Sequence, residues 1–237
     1  MHNFFFGIYP YIALAVMILG SIARYERDPF TWKSSSSQLL RRKQLVIGSV
    51  LFHVGVLVIF LGHLVGLLTP IWIFDAMGIS HGAKQTLAVV AGGIAGVMAL
   101  AGGGMLFHRR WTDPRIKATS SFADNAILAL LLAQLVLGLG TIFVSLQHLD
   151  GHEMTLFMAW AQGIFTFQSG AAGHIAEVAF IFKLHLVLGL TIFLVFPFTR
   201  LVHIVSGIAA PFRFLFTRTG YQVVRTRRRA AIQRSKP

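Results

Sequence analysis

Ten histidines and no cysteine are the first chemically informative facts in this 237-residue sequence. Without cysteine the chain cannot form disulfides, hold an iron–sulfur cluster through thiolates, build a zinc–thiolate site or attach a c-type haem covalently. Histidine is left as the ligand for borderline metals. His2, His81, His108, His148, His152 and His174 fall in termini, loops or interfaces. His53, His63, His185 and His203 fall inside long apolar stretches. An ionisable side chain is costly there, which makes these four the candidates for function.

The apolar stretches must position them. Hydrophobic residues make up 55% of the chain and charged residues 12%, about half the ~25% charge typical of soluble domains. Five stretches stand out, at about residues 4–23, 45–69, 86–107, 126–146 and 178–204. Each has the length to cross a bilayer, and in a bilayer core each must be helical. The expected fold is an all-α integral membrane protein, one membrane domain over residues 1–237 built as a five-helix bundle. Pro10 and Pro197 each remove a backbone donor and predict kinks in the first and fifth helices. Residues 1–9 contain no Lys or Arg, so no cleaved signal is expected and the first stretch stays as a helix.

The formal charge of +13 comes from 21 Lys and Arg against 8 Asp and Glu. In a soluble protein it would point to nucleic acid; here its distribution gives orientation instead. Arg24, Arg27, Lys33, Arg41, Arg42 and Lys43 follow the first stretch. Arg109, Arg110, Arg115 and Lys117 follow the third, and a basic tail occupies about residues 211–237. The alternate segments hold only Lys84 before the third stretch and no Lys or Arg between Gln147 and Glu177. The positive-inside rule places the N-terminus outside and the C-terminus in the cytoplasm. A soluble enzyme and a nucleic-acid binder are both excluded. The Arg227–Arg229 cluster reads as attraction to anionic lipid, and Pro211–Val224 as a docking segment for a cytoplasmic partner. Ser34–Ser37 reads as a turn or helix cap.

Stretches two and five then run in opposite directions. His53 and His203 lie nearer the cytoplasm, His63 and His185 nearer the outside, so facing helices pair His53 with His203 and His63 with His185. Ten residues separate His53 from His63, roughly 15 Å of helix, and eighteen separate His185 from His203, roughly 27 Å. The mismatch calls for helix tilt, a kink at Pro197, or both.

Facing histidines on separate helices, in a chain without cysteine, suit two b-type haems, each held by one imidazole above and one below the ring. Gly55, Gly62, Gly66 and Gly189 would let a flat ring approach the two helices. The plainer alternative is four histidines hydrogen-bonding between helices; pairing at two depths favours haem. Arg200, three residues before His203, suits a haem propionate, with Lys183 a weaker candidate. The plainer role for both is snorkelling at helix ends.

These residues carry a resemblance. Phe4-Phe5-Phe6-Gly7-Ile8-Tyr9-Pro10-Tyr11-Ile12-Ala13, Leu51-Phe52-His53, Gly62-His63, Leu68-Thr69-Pro70, Lys84-Gln85 and Ala91-Gly92-Gly93 belong to it. So do Arg109-Arg110, Pro114-Arg115, Phe182-Lys183-Leu184-His185 and the run Phe196-Pro197-Phe198-Thr199-Arg200-Leu201-Val202-His203. Over nearly its whole length the chain resembles the gamma subunit of membrane-bound respiratory nitrate reductase, a dihaem cytochrome b. Departures lie in the segment 71–83, near His81-Gly82, and in a longer arginine-rich tail from Arg225.

The resemblance implies that His53 and His203 ligate the haem nearer the cytoplasm, and His63 and His185 the haem nearer the outside. It implies a quinol site lined by Gly62, His63 and Lys84, beside the outer haem. Lys84 could bond a quinol oxygen there as protons leave. The implied function is the membrane anchor of a quinol:nitrate oxidoreductase in a prokaryotic cytoplasmic (inner) membrane. Electrons from quinol would pass through two haems b to a cytoplasmic iron–sulfur (beta) subunit, then to a molybdenum (alpha) subunit that reduces nitrate. Rival readings are a dihaem quinol-oxidising subunit of a heterodisulfide or sulfur-compound reductase, a non-redox histidine proton relay, and a purely structural anchor.

Overall fold

The apolar runs form the long helices, and caps, polar flanks and prolines set where these end. The computed structural model describes residues 1–28, 31–32, 40–147 and 149–205. Lys33, Ser34–Ser37, His148 and the basic tail lie outside the described residues. The long helices are α1 (Tyr9–Arg27, entered through a π-helical turn at Phe4–Ile8), α2 (Arg42–Leu68), α4 (His81–Thr112), α6 (Phe122–Ser145) and α8 (Phe180–Val195). Between them lie the short helices α3 (Ile71–Ala76), α5 (Pro114–Thr119) and α7 (His152–Phe165). Taking the adjoining Phe4–Ile8 turn with α1 and the Phe196–Phe198 turn with α8, five helices are long and apolar enough to cross a membrane. The described residues contain no strand.

Helix ends follow local chemistry. Ser80 caps α4 by accepting from the Ala83 N–H at 3.2 Å. Ser121 and Asp124 form a reciprocal capping box at the start of α6, satisfying two otherwise orphaned donors. Pro10 lies just past the π-helical turn, inside a helical run continuous from residue 2 to residue 27; its ring removes one backbone donor there, and the wider turn at Phe4–Ile8, closed by the Tyr9 N–H to the Phe4 carbonyl, directly precedes it. Pro197 acts differently. The helix expected over 178–204 ends at Val195, and the chain continues through 3₁₀ turns at Phe196–Phe198 and Arg200–Val202. Proline cannot donate back into the helix, so the ladder stops.

The segment without Lys or Arg is more than a loop. It folds into α7, at 14 residues too short to span, and a 3₁₀ turn at Ala171–Ile175. Trp160, Ile164, Ile175 and Phe182 pack there with Phe6 in a buried cluster. The Trp160 indole donates to the Phe6 carbonyl at 2.9 Å.

The bundle is assembled by small residues. A Cβ on Gly55 would lie 2.5 Å from the Ala95 carbonyl oxygen, and one on Gly102 would lie 2.4 Å from the Phe52 nitrogen. With Gly48 and Ala99 they bring the α2 and α4 backbones together, as small residues do where helices pack in lipid. Gly55 therefore serves the α2–α4 seam rather than a ring's approach. α4 packs on α6, α6 on α8 and α8 on α1. No comparable seam joins α2 to α8 among the described residues, and the four histidines lie along that gap.

Candidate functional site

Helix α2 carries His53 and His63, α8 carries His185, and His203 follows the second 3₁₀ turn. The imidazole centroids of His53 and His203 are 6.2 Å apart, with their planes at 75°. Those of His63 and His185 are also 6.2 Å apart, with planes at 39°. The fold thus brings together the two pairs that antiparallel spans require. Because the chain breaks at Pro197, His185 and His203 do not share one straight helix.

Backbone carbonyls orient three of the rings. His53 Nδ1 lies 2.7 Å from the Ser49 oxygen, His63 Nδ1 2.8 Å from the Ile59 oxygen and His203 Nδ1 2.6 Å from the Arg200 oxygen. A carbonyl only accepts, so each Nδ1 carries the proton and each Nε2 keeps a lone pair for a metal. His185 is held otherwise. Its ring lies against Gly138 of α6, where a Cβ would sit 2.9 Å from His185 Cε1. The Gln134 amide nitrogen lies 3.1 Å from the His185 carbonyl and 3.3 Å from its Nε2. His185 Nδ1 is buried without a hydrogen-bond partner.

These donors fit a haem. An imidazole nitrogen binds a first-row metal at about 2 Å, so with the ring centre roughly 1 Å behind it, two opposed imidazoles stand about 6 Å apart. Among the described residues no three His, Asp or Glu gather into a metal site. A macrocycle that brings its own four nitrogens needs only two protein ligands.

A cavity of about 550 Å³ adjoins the His53–His203 pair and is lined by both histidines, Ser49, Asp124 and four arginines, Arg42, Arg109, Arg110 and Arg200. That is the size class of a cofactor site. Arg200 Nε lies 3.7 Å from Asp124 Oδ1, and Arg110 donates to the Asp124 carbonyl at 2.7 Å. Four cations against one carboxylate leave the cavity positive and suited to propionates. Arg200 was expected here. Arg42, Arg109, Arg110 and Asp124 were not: in the sequence the arginines mark orientation and, for Arg109-Arg110, the family resemblance, and Asp124 had a legible signal in its capping box. Lys183 does not line this cavity; its ammonium donates to the Ala176 carbonyl at 2.5 Å.

At the other pair, Gly62 has open space where a Cβ would stand, and His63 is exposed on α2. Lys84 is buried. Its ammonium donates to the Gly66 carbonyl at 3.0 Å and to Met158 Sδ at 2.7 Å, and lies 4.0 Å from the centre of the Phe74 ring. It thus reaches α2 one turn beyond Gly62. Gln162 donates to the Leu67 and Thr69 carbonyls at 3.0 and 3.2 Å. Together the two side chains satisfy carbonyls that the end of α2 leaves open. Met158, Phe74, Gln134 and Gly138 carried no sequence signal.

The chain is 52% identical over 228 residues to the respiratory nitrate reductase 2 gamma chain of Escherichia coli (strain K12), covering 96% of this chain and 98% of that one. It is 50% identical over 227 residues to the respiratory nitrate reductase 1 gamma chain of the same organism, with the same coverage. It is 39% identical over 221 residues to the nitrate reductase gamma chain of Bacillus subtilis (strain 168), covering 93% and 96%. Residues 2–227 match the family described as nitrate reductase gamma subunit, and the chain belongs to that family.

Proposed function

We propose that this chain is the dihaem cytochrome b subunit of a quinol:nitrate oxidoreductase in a prokaryotic cytoplasmic membrane, with its N-terminus outside and its C-terminus in the cytoplasm. One observation carries the reading: two facing imidazole pairs, each with 6.2 Å between rings, stacked along the gap between α2 and α8. His53 and His203 would hold the inner haem, and His63 and His185 the outer one. Each haem supplies a one-electron carrier when bound, so the two depths give a route across the membrane.

The chain's own residues do the rest. The three Nδ1–carbonyl bonds fix the tautomer and raise the basicity of their imidazoles. Arg110 and Arg200 face the inner cavity and would balance propionate charge, leaving Asp124 to hold Arg200 in place. On the outer side, quinol would be oxidised near His63 and Gly62. Lys84 would receive a quinol oxygen by exchanging its Met158 contact, since a thioether is the weakest acceptor it holds. Its charge favours the anion that forms as protons leave to the outside. Electrons leave at the basic end, toward a cytoplasmic iron–sulfur (beta) subunit and a molybdenum (alpha) subunit that reduces nitrate. Support for the orientation is the gathering of Arg24, Arg41, Arg109, Arg110 and Arg200 at one end of the bundle, as the positive-inside rule requires.

The test is a reduced-minus-oxidised optical spectrum of the purified chain, followed by reduction with a quinol analogue. Two b-type signals that the analogue reduces are expected. No b-type signal would favour the proton relay, and haems that quinol cannot reduce would favour the structural anchor. Copurification with iron–sulfur and molybdenum chains separates nitrate reduction from the sulfur-compound alternatives.

A further inference from the structure

We propose that Arg24 is a positioning residue for the His53–His203 pair, acting as a clamp on the broken end of the fifth span. The sequence marks Arg24 only as one positive charge among many; the structure gives it four contacts. Its Nη1 donates to the Pro197 carbonyl at 2.7 Å and to the Thr199 carbonyl at 2.7 Å. Its Nη2 and Nε donate to the carbonyl and hydroxyl of Thr31 at 3.1 and 3.2 Å. The Thr31 hydroxyl in turn donates to the Asp28 carbonyl at 2.8 Å. A guanidinium presents five N–H groups in a rigid plane, so one side chain can serve acceptors on two edges at once.

The need for the clamp follows from Pro197. Its ring stops the helical ladder, and Thr199 follows in extended backbone, with ψ near 179°. The carbonyls of Pro197 and Thr199 fall at this break, partly buried, where the regular helical ladder no longer continues. Arg24 fills both. Gly20, one turn earlier on α1, makes the approach possible: a Cβ there would lie 2.8 Å from Pro197 Cγ.

From the clamp the effect passes to the imidazole in two steps. The Thr199 hydroxyl accepts from the Leu201 N–H at 3.3 Å, setting the second 3₁₀ turn. Leu201 and Val202 of that turn are buried against Ile127, Ile192 and Phe196. The turn then presents the Arg200 carbonyl that receives His203 Nδ1 at 2.6 Å. His53 needs no such device, because it rides on unbroken α2.

The inference rests on reading the histidine pairs as haem ligands, and its test separates the two. Haem content and a redox titration are measured on the full chain in its native complex for wild type, Arg24→Ala, Arg24→Lys, Arg27→Ala and His203→Ala. His203→Ala identifies the inner signal by removing it. Arg24→Ala is expected to lose or shift that signal alone, leaving the outer one at its wild-type position. Arg24→Lys, which keeps the charge but not the two-edged fork, is expected to shift it less. Arg27→Ala, which removes an exposed charge from the same helix end, is expected to change neither. If both Arg24 variants keep both signals at wild-type position and stoichiometry, the proposal is overturned. Equal damage to both signals overturns it too. If Arg24→Ala fails to accumulate in the membrane, Arg24→Lys decides by the same criteria. A wild-type protein without b-type haem would instead overturn the ligand reading itself.

Discussion

The two histidine pairs share one ring separation, 6.2 Å, but are built by different means. At the basic end, His203 stands after a proline break, on a turn held by carbonyl contacts, beside a cavity of about 550 Å³ lined with arginines. At the other end, His185 stands within continuous α8 and is located by the shape of its neighbour: Gly138 leaves room for the ring and Gln134 closes the slot. On the same side of the bundle lie the α7 cluster and the buried ammonium of Lys84. One pair is positioned by hydrogen bonding at a broken helix, the other by packing on an intact one. The comparison teaches that two matched imidazole pairs can come from opposite answers to the same helical constraint.

The sharpest way to break the comparison is to remove one ligand from each pair. His203→Ala and His185→Ala should each halve the haem content and stop quinol-driven nitrate reduction, with different spectral components lost. If the His203→Ala protein kept both components, the ligand assignment would fail. Next in size is Gly138→Leu. A Cβ there already comes within 2.9 Å of the His185 ring, so the larger side chain should displace it and abolish the outer component, leaving the inner one intact; Gly138→Ala should only shift its potential. Loss of both components would show that packing at α6 supports the basic end as well.

Lys84→Ala should act on rate rather than content. Both haems should remain and be reducible by dithionite, but their reduction by a quinol analogue should slow by about 10²-fold, the scale for removing one charge-stabilising donor. An unchanged rate would leave Lys84 as a cap for α2. The smallest effect is expected at Asp113, beyond the end of α4. Burial pushes its carboxyl up, but the Arg115 and Ile116 N–H groups and the Arg41 guanidinium together hold it below the ordinary carboxylate value. Its ionised form is therefore favoured in the folded state. The stability it lends is fully present above the ordinary value near pH 3.9 and is lost as pH falls through the folded one. Thermal unfolding of Asp113→Asn in detergent should differ slightly from wild type at neutral pH and converge with it in strong acid.

The spans were legible because a bilayer leaves no choice: about twenty apolar residues must close their own hydrogen bonds. The ring pairing was legible because antiparallel spans fix which histidine meets which. Less could be read where a residue answers to several constraints. Pro197 signalled a disturbance, but its result, two 3₁₀ turns, depends on packing behind Leu201 and Val202. Gly55 suited a ring's approach as well as it suits a helix seam, and only the position of Ala95 decides. Helix α7 is not legible as a membrane element because its 14 residues, with His152, Glu153, Thr155 and Gln162 among them, are too few and too polar to read as a span. Lys84 was noticed, but Met158 and Phe74, which hold it, come from segments whose folding carries no periodic signal.

His53 and His63 ride on one uninterrupted helix, and α4 is locked against that helix where Gly48 and Gly55 meet Ala95, Ala99 and Gly102. Their separation along the axis, ten residues or roughly 15 Å, is therefore set by covalent geometry. Electron tunnelling falls off exponentially with distance, so in the proposed dihaem reading a hop between the two depths would inherit that fixed length. Rearrangement of the turns at the far end of α8 would tilt a ring, but it would leave the ruler unchanged.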